Sequence, residues 1–206
     1  MKSIQMNKRL EIKKNIYKRL TNSVFNEHAN VLKETHMIID DNIEAAAELI
    51  AKSLETGGTI FWCGNGGSAA DSQHIAAEFV GRFKKDRKPL RSVALTTDSS
   101  ILTCVANDYS FEEVFSRQIN ALGRSGDVLV AITTSGKSEN IKQALVQART
   151  MGIKTIGLLG KNGGDCKDYA DVSMIVPSDT TARIQEIHIL IEHLLCEIVE
   201  HKLGFN

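Results

Sequence analysis

Five short apolar runs, alternating with stretches of helical pattern, constrain this chain more than any other feature. The runs are Thr59–Cys63, Ser92–Leu95, Val128–Ile132, Lys154–Leu159 and Val172–Val176, and helix-patterned segments fill the gaps at about 68–82, 98–107, 111–122, 138–151 and 164–169. Strands buried on both faces read as near-continuous apolar runs, and helices between them provide the crossovers that parallel pairing needs. The expected architecture is therefore α/β: a three-layer, doubly wound, five-stranded parallel sheet. In such sheets ligands bind beyond the carboxyl ends of the strands, which makes the loops after the runs the first place to look for function.

Helices flank this alternation. Ile12, Ile16, Leu20 and Val24 recur every four residues in one N-terminal segment ending near Asn30; Ile39, Ile43, Ala46, Ala47 and Ile50 share a side of a second, from about Thr35 to Leu54, which Gly57-Gly58 ends. The expectation is a polar extension over 1–15, then a single domain over 16–206 that opens with a helical hairpin. The last segment, about Thr181 to Leu203, reads as one apolar helix of about 35 Å at 1.5 Å per residue. Lysine plus arginine and aspartate plus glutamate number 25 each, so charge balance demands neither nucleic acid nor an acidic membrane. The basic first twenty residues lack the apolar core of a signal peptide, and no run approaches the roughly 20 apolar residues of a membrane span. Cys63, Cys104, Cys166 and Cys196 form no C-x-x-C pair, which points to a reducing cytoplasm, with no disulfide framework or cysteine zinc site.

Two of the runs end in polar, glycine-bearing corners. The first passes from Gly64 through Asn65-Gly66-Gly67-Ser68 directly into a helix-forming segment. Glycines admit backbone angles closed to other residues, so consecutive N–H groups can face one anion with a helix N-terminus behind them. The corner is neither a dinucleotide fingerprint nor a Walker loop, and a tight structural turn has the same composition. The second corner is Thr133-Thr134-Ser135-Gly136-Lys137-Ser138-Glu139-Asn140, in which Ser138 also suits a plain N-cap. Two cradles at strand ends, with no arginine cluster for a polyphosphate, favour a sugar monophosphate over ATP.

Behind the first corner, His74 and Glu78 stand four residues apart, on one helix face and one turn apart. Gln185 and His193 stand eight apart on the last helix, broadly on one side. An imidazole and a carboxylate suit proton transfer; two histidines, a glutamate and a glutamine oxygen also suit a divalent metal. Spacing alone equally allows a surface pair and a core histidine, and does not exclude His188, Glu192 or His201. Asn107 and Asp108, within Ala106-Asn107-Asp108-Tyr109, read as an Asx turn or helix cap.

Taken together, C-G-N-G-G-S-A-A-D-S-Q-H-I-A-A-E at 63–78, A-N-D-Y at 106–109, T-T-S-G-K-S at 133–138 and A-R-I-Q-E-I-H-I-L-I-E-H at 182–193 resemble a sugar isomerase (SIS) domain, and within it the phosphoheptose isomerase family. The resemblance implies conversion of sedoheptulose 7-phosphate to D-glycero-D-manno-heptose 7-phosphate through an enediol, the first step toward heptose for lipopolysaccharide or capsule. It implies that Asn65, Gly66, Gly67 and Ser68, with Asn107 and Asp108, line the sugar, and that Thr133, Thr134, Ser135 and Ser138 receive the phosphate. His74, Glu78, Gln185 and His193 would ligate one zinc per subunit, Glu78 and Gln185 would also touch substrate, and Glu78 and His193 would be the acid–base pair. A homotetramer with active sites at subunit interfaces is implied as well. Thr133 stands where serine is common, and the N-terminus is extended. A non-catalytic SIS protein that binds the replication initiator is the rival; that group lacks the carboxylate and imidazole present here as Glu78 and His193. Sugar-phosphate regulators join an SIS domain to a helix-turn-helix domain, for which the N-terminal helices leave little room.

Overall fold

A computed structural model describes the backbone of residues 2–205 and the side chains of residues 14–205. The chain opens with one helix, α1 (Lys2–Glu55), 54 residues and about 80 Å long. The expected hairpin is thus corrected to a single rod, and the backbone of the expected extension is its first turns. The physical reason is the absence of any glycine or proline before Gly57: nothing between Asn30 and Thr35 breaks the helix. Across that segment Val31 is buried, and the Thr35 hydroxyl donates to the Val31 carbonyl at 2.7 Å. Of the N-terminal stripe, Ile12 lies outside the described side chains, while Ile16, Leu20 and Val24 are exposed.

The five expected strands form, as β1 (Ile60–Gly64), β2 (Ser92–Ala94), β3 (Val128–Thr133), β4 (Lys154–Gly160) and β5 (Val172–Val176). They make one parallel sheet in the order β2-β1-β3-β4-β5. Winding reverses between β1 and β3, whose ends are in register at Gly64 and Ile132. The helices are α2 (Gly67–Val80), α3 (Ser99–Asp108), α4 (Ser116–Leu122), α5 (Glu139–Thr150) and α6 (Thr181–Lys202). Two segments expected as helices are shorter: 111–122 splits into a 3₁₀ turn at Phe111–Glu113 and α4, and 164–169 is a 3₁₀ turn at Asp165–Tyr169.

Alternation along the strands sorts the core into two layers. Ile60, Trp62, Val130, Ile132, Ile156 and Leu158 face α1, α2 and α6, while Phe61, Cys63, Leu129, Ala131 and Leu159 face α3, α4 and α5. Each valine, leucine, isoleucine or phenylalanine among them, fully buried, contributes roughly 1.5–3 kcal/mol of transfer free energy. On α6, Ile184, Ile187, Ile191, Leu195 and Val199 form the buried stripe that holds it against the sheet and α1. Helices α2 and α6 thereby lie side by side on one face, and this brings residues 74–78 to residues 185–193.

Candidate active site

Both polar corners sit at the switch point, at the ends of β1 and β3, where the strand order reverses. Gly64 is obligatory at the first: a Cβ there would lie 2.5 Å from the Ser68 carbonyl oxygen. Gly66 takes φ +57° and occupies the N-cap of α2 without any side-chain cap. Ser138 occupies the N-cap of α5, but its hydroxyl caps nothing; it lies 3.1 Å from the Thr133 hydroxyl, which is also 3.3 Å from that of Ser135. By contrast, α3 is capped by Asp98, whose carboxylate accepts from the Ile101 N–H at 2.9 Å. Two helices therefore start at the switch point with, among the described residues, no side chain capping their first N–H groups, beside a cluster of hydroxyls. That arrangement suits a bound anion.

The corners are tied to one another. Asn65 and Asn140 exchange amide hydrogen bonds, each 2.9 Å long, across the gap between β1 and α5. Asn140, the last residue of the second corner as read from the sequence, belongs to the site's scaffold; the sequence gives it no separate role, because its burial and its partner appear only in the fold. Gly136, at φ +64°, presses on the Gly163-Gly164 turn, where a Cβ would meet the Gly163 carbonyl at 2.1 Å.

Next to the first corner, the two helices present three ligand atoms to one point. The Nε2 atoms of His74 and His193 are 3.1 Å apart, and Glu78 Oε1 lies 3.4 Å from His74 Nε2. All three donors fall within 4.8 Å of one another. A tetrahedral zinc ion with bonds of 2.0–2.1 Å separates its ligand atoms by about 3.4 Å. The cluster's two shorter edges match that spacing, and imidazole nitrogens with a carboxylate oxygen are an apt donor set. Phe83, which the sequence does not single out, stacks on His193 with ring centroids 5.4 Å apart and planes 15° apart.

Other expected residues stand differently. Gln185 lies against Gly67, where a Cβ would come 2.3 Å from its amide nitrogen, so it borders the first corner; among the described residues no hydrogen bond joins it to His74, Glu78 or His193. Asn107 and Asp108 end α3, exposed, with the Asn107 amide donating to Asp108 at 2.8 Å. That bond, and a second from the Cys104 thiol, hold the Asp108 carboxyl below its usual range. Neither is in hydrogen-bonding contact with the three-donor cluster among the described residues. His188 is not a site residue: it is buried and donates from Nε2 to the Leu159 carbonyl at 3.1 Å. Glu192 is fully buried, and burial, with Asp71 nearby, drives its carboxyl well above the usual range.

Comparison with known proteins establishes the family. The SIS domain profile matches residues 24–160. The chain is 48% identical to a phosphoheptose isomerase of Clostridium acetobutylicum over 92% of its length and 96% of that protein's. It is 50% identical to a Campylobacter jejuni phosphoheptose isomerase, covering 88% of this chain and 97% of that one. The solved phosphoheptose isomerase of Neisseria gonorrhoeae superposes with a TM-score of 0.85 at 43% identity, over 89% of this chain and 98% of the other. An α/β chain with this switch-point cradle and these relatives belongs to the phosphoheptose isomerase family of SIS-domain enzymes.

Proposed function

We propose that the chain isomerises sedoheptulose 7-phosphate to D-glycero-D-manno-heptose 7-phosphate, in the cytoplasm, as the first step of heptose supply for lipopolysaccharide or capsule. The observation that carries this reading is the convergence of Glu78, His74 and His193 beside two helix N-termini that have no side-chain cap. Thr133, Thr134, Ser135 and Ser138 would take the phosphate and fix the far end of the sugar. Asn65, Gly66, Gly67 and Ser68 would line its length, with Gln185, Asn107 and Asp108 completing the wall. Anchoring at the phosphate converts the proton transfer into a positioned, effectively unimolecular step.

The exchange moves one hydrogen from C1 to C2 and one from oxygen to oxygen. Glu78 removes the C1 proton to give the enediol and returns it at C2; His193 relays the hydroxyl proton between O1 and O2. His74, Glu78 and His193, with Gln185, would hold a zinc ion, and such an ion supplies a Lewis acid toward the carbonyl oxygen. A carboxylate has two oxygens, so Glu78 can face an ion with one and a proton with the other. His193 offers one nitrogen to the cluster and holds either an ion or a proton at a given moment. The assembly would be a homotetramer.

The test is turnover. Purified protein should convert sedoheptulose 7-phosphate to an aldose phosphate, and Glu78→Gln should lower kcat by at least about a hundredfold, the usual scale for loss of a positioned base. Wild-type protein without turnover would support the initiator-binding rival, and full activity in Glu78→Gln would remove Glu78 as the base.

A further inference from the structure

We propose that Arg87 and Glu200 are a positioning pair for this reaction, setting the geometry of Glu78 and His193 from behind. Their side chains are 1% and 3% exposed, and Arg87 Nε donates to Glu200 Oε1 at 2.8 Å. Among the described residues neither side chain hydrogen-bonds to the side chain of His74, Glu78 or His193. The inference rests on the roles given above to Glu78 and His193.

The guanidinium works on one side of the site. Nη2 donates to the carbonyl oxygen of Glu78 at 2.9 Å and Nη1 to that of Phe79 at 2.8 Å. These carbonyls belong to the last turn of α2, where no intrahelical donor remains, and a cation there also opposes the negative end of the helix dipole. The rigid fork thus pins the backbone of the proposed base itself. A lysine at this place has one ammonium and cannot span three acceptors in a plane.

The carboxylate works on the other side. Glu200 stands seven residues after His193 on α6, so it lies on the same face two turns further along. It accepts from the backbone N–H groups of Phe83, Lys84 and Lys85 at 3.2, 3.2 and 3.3 Å. That folds the loop after α2 so that the Phe83 ring stacks on His193. One ion pair therefore fixes the backbone under Glu78 and the ring that orients His193. A buried pair is a weak source of stability, because desolvation consumes most of the Coulombic gain. Six accompanying hydrogen bonds to backbone groups at one functional site point instead to geometric control.

The test compares Arg87→Lys, Glu200→Gln and Phe83→Leu with wild type and with Glu78→Gln, well below each variant's melting temperature. The expected result is a ten- to hundredfold fall in kcat for Arg87→Lys and Glu200→Gln, the scale of a displacement near 1 Å. KM should change less than about threefold, because the phosphate cradle lies elsewhere. The His193 imidazole NMR signals, assigned with His193→Gln, should shift in all three variants as the ring contact is lost or altered. Phe83 is half-buried, so Phe83→Leu keeps the question open to refutation should the other two fail to fold: it must shift the His193 signals and lower kcat. Wild-type kcat and unshifted His193 signals in the folded variants would overturn the pairing. If instead Glu78→Gln keeps full activity, the reading of Glu78 fails, which is a separate outcome.

Discussion

At the residue scale the site is built from atoms that need a third party. Two imidazole Nε2 atoms 3.1 Å apart share one proton or face one ion. With Glu78 completing the set, the spacing suits zinc, and the expected outcome is about one zinc per subunit by elemental analysis. His74→Ala should release most of it, since loss of one strong ligand commonly lowers affinity by orders of magnitude; unchanged metal content would remove His74 from the ligand set. The donor types and their i, i+4 spacing are legible in the sequence. Spacing alone does not say which of His188, Glu192, His193 and His201 joins them, because all four share one apolar helix, and in the sequence only the family resemblance points to His193. Packing decides: His188 turns to the β4 carbonyl and Glu192 into the core, while His193 meets His74.

At the scale of elements, the joint between α6 and β4 carries a pH dependence. Burial, outweighing the bond to Leu159, lowers the His188 imidazole to about 4. The folded chain keeps this ring neutral while the unfolded chain protonates it near 6.5, so the unfolded state binds the extra proton between pH 6.5 and 4. Stability from His188 is therefore full above about 6.5 and lost as pH falls toward 4. At 1.36 kcal/mol per unit the loss amounts to roughly 3 kcal/mol. Urea unfolding should show the advantage of wild type over His188→Gln shrinking by that order between pH 7 and 4; a constant difference would rule the imidazole out. The other elements follow local chemistry closely. All five strands fall within a residue or two of their apolar runs; for the central β1, β3 and β4, buried almost throughout, there is no alternation to misread. The two 3₁₀ turns are missed because packing selects their boundaries, whereas the uninterrupted α1 was legible in the absence of any glycine or proline before Gly57.

For the whole molecule, α1 and α6 leave an apolar groove of about 540 Å³ between them, lined by Leu32, Ile39, Ile43, Ile187, Leu190 and Leu194. Met37 and Ile38 stand exposed on the adjoining face of α1. We expect other copies to cover these surfaces in the proposed tetramer. Sedimentation should give four times 22.7 kDa, and Leu190→Glu, which places a charge in the groove, should dissociate it. A monomeric wild type would contradict this assembly. Among the described residues no helix is long and apolar enough to cross a membrane.

The parallel sheet, the two glycine-bearing corners and the family motifs were all readable from residue order. Each depends on short-range rules: apolar runs, the freedom of glycine at Gly66 and the spacing of polar groups on one helix. Tertiary structure decided what those rules leave open. It joined the corners through Asn65 and Asn140, stacked Phe83 on His193 and set Arg87 beneath Glu78. These contacts span 75, 110 and 9 residues in the chain, and none has a periodicity to announce it. The first exists because β1 and β3 pair and end together, the others because α2 and α6 bury their apolar stripes against the same face of one sheet; burial in common is what brings distant polar groups within bonding distance.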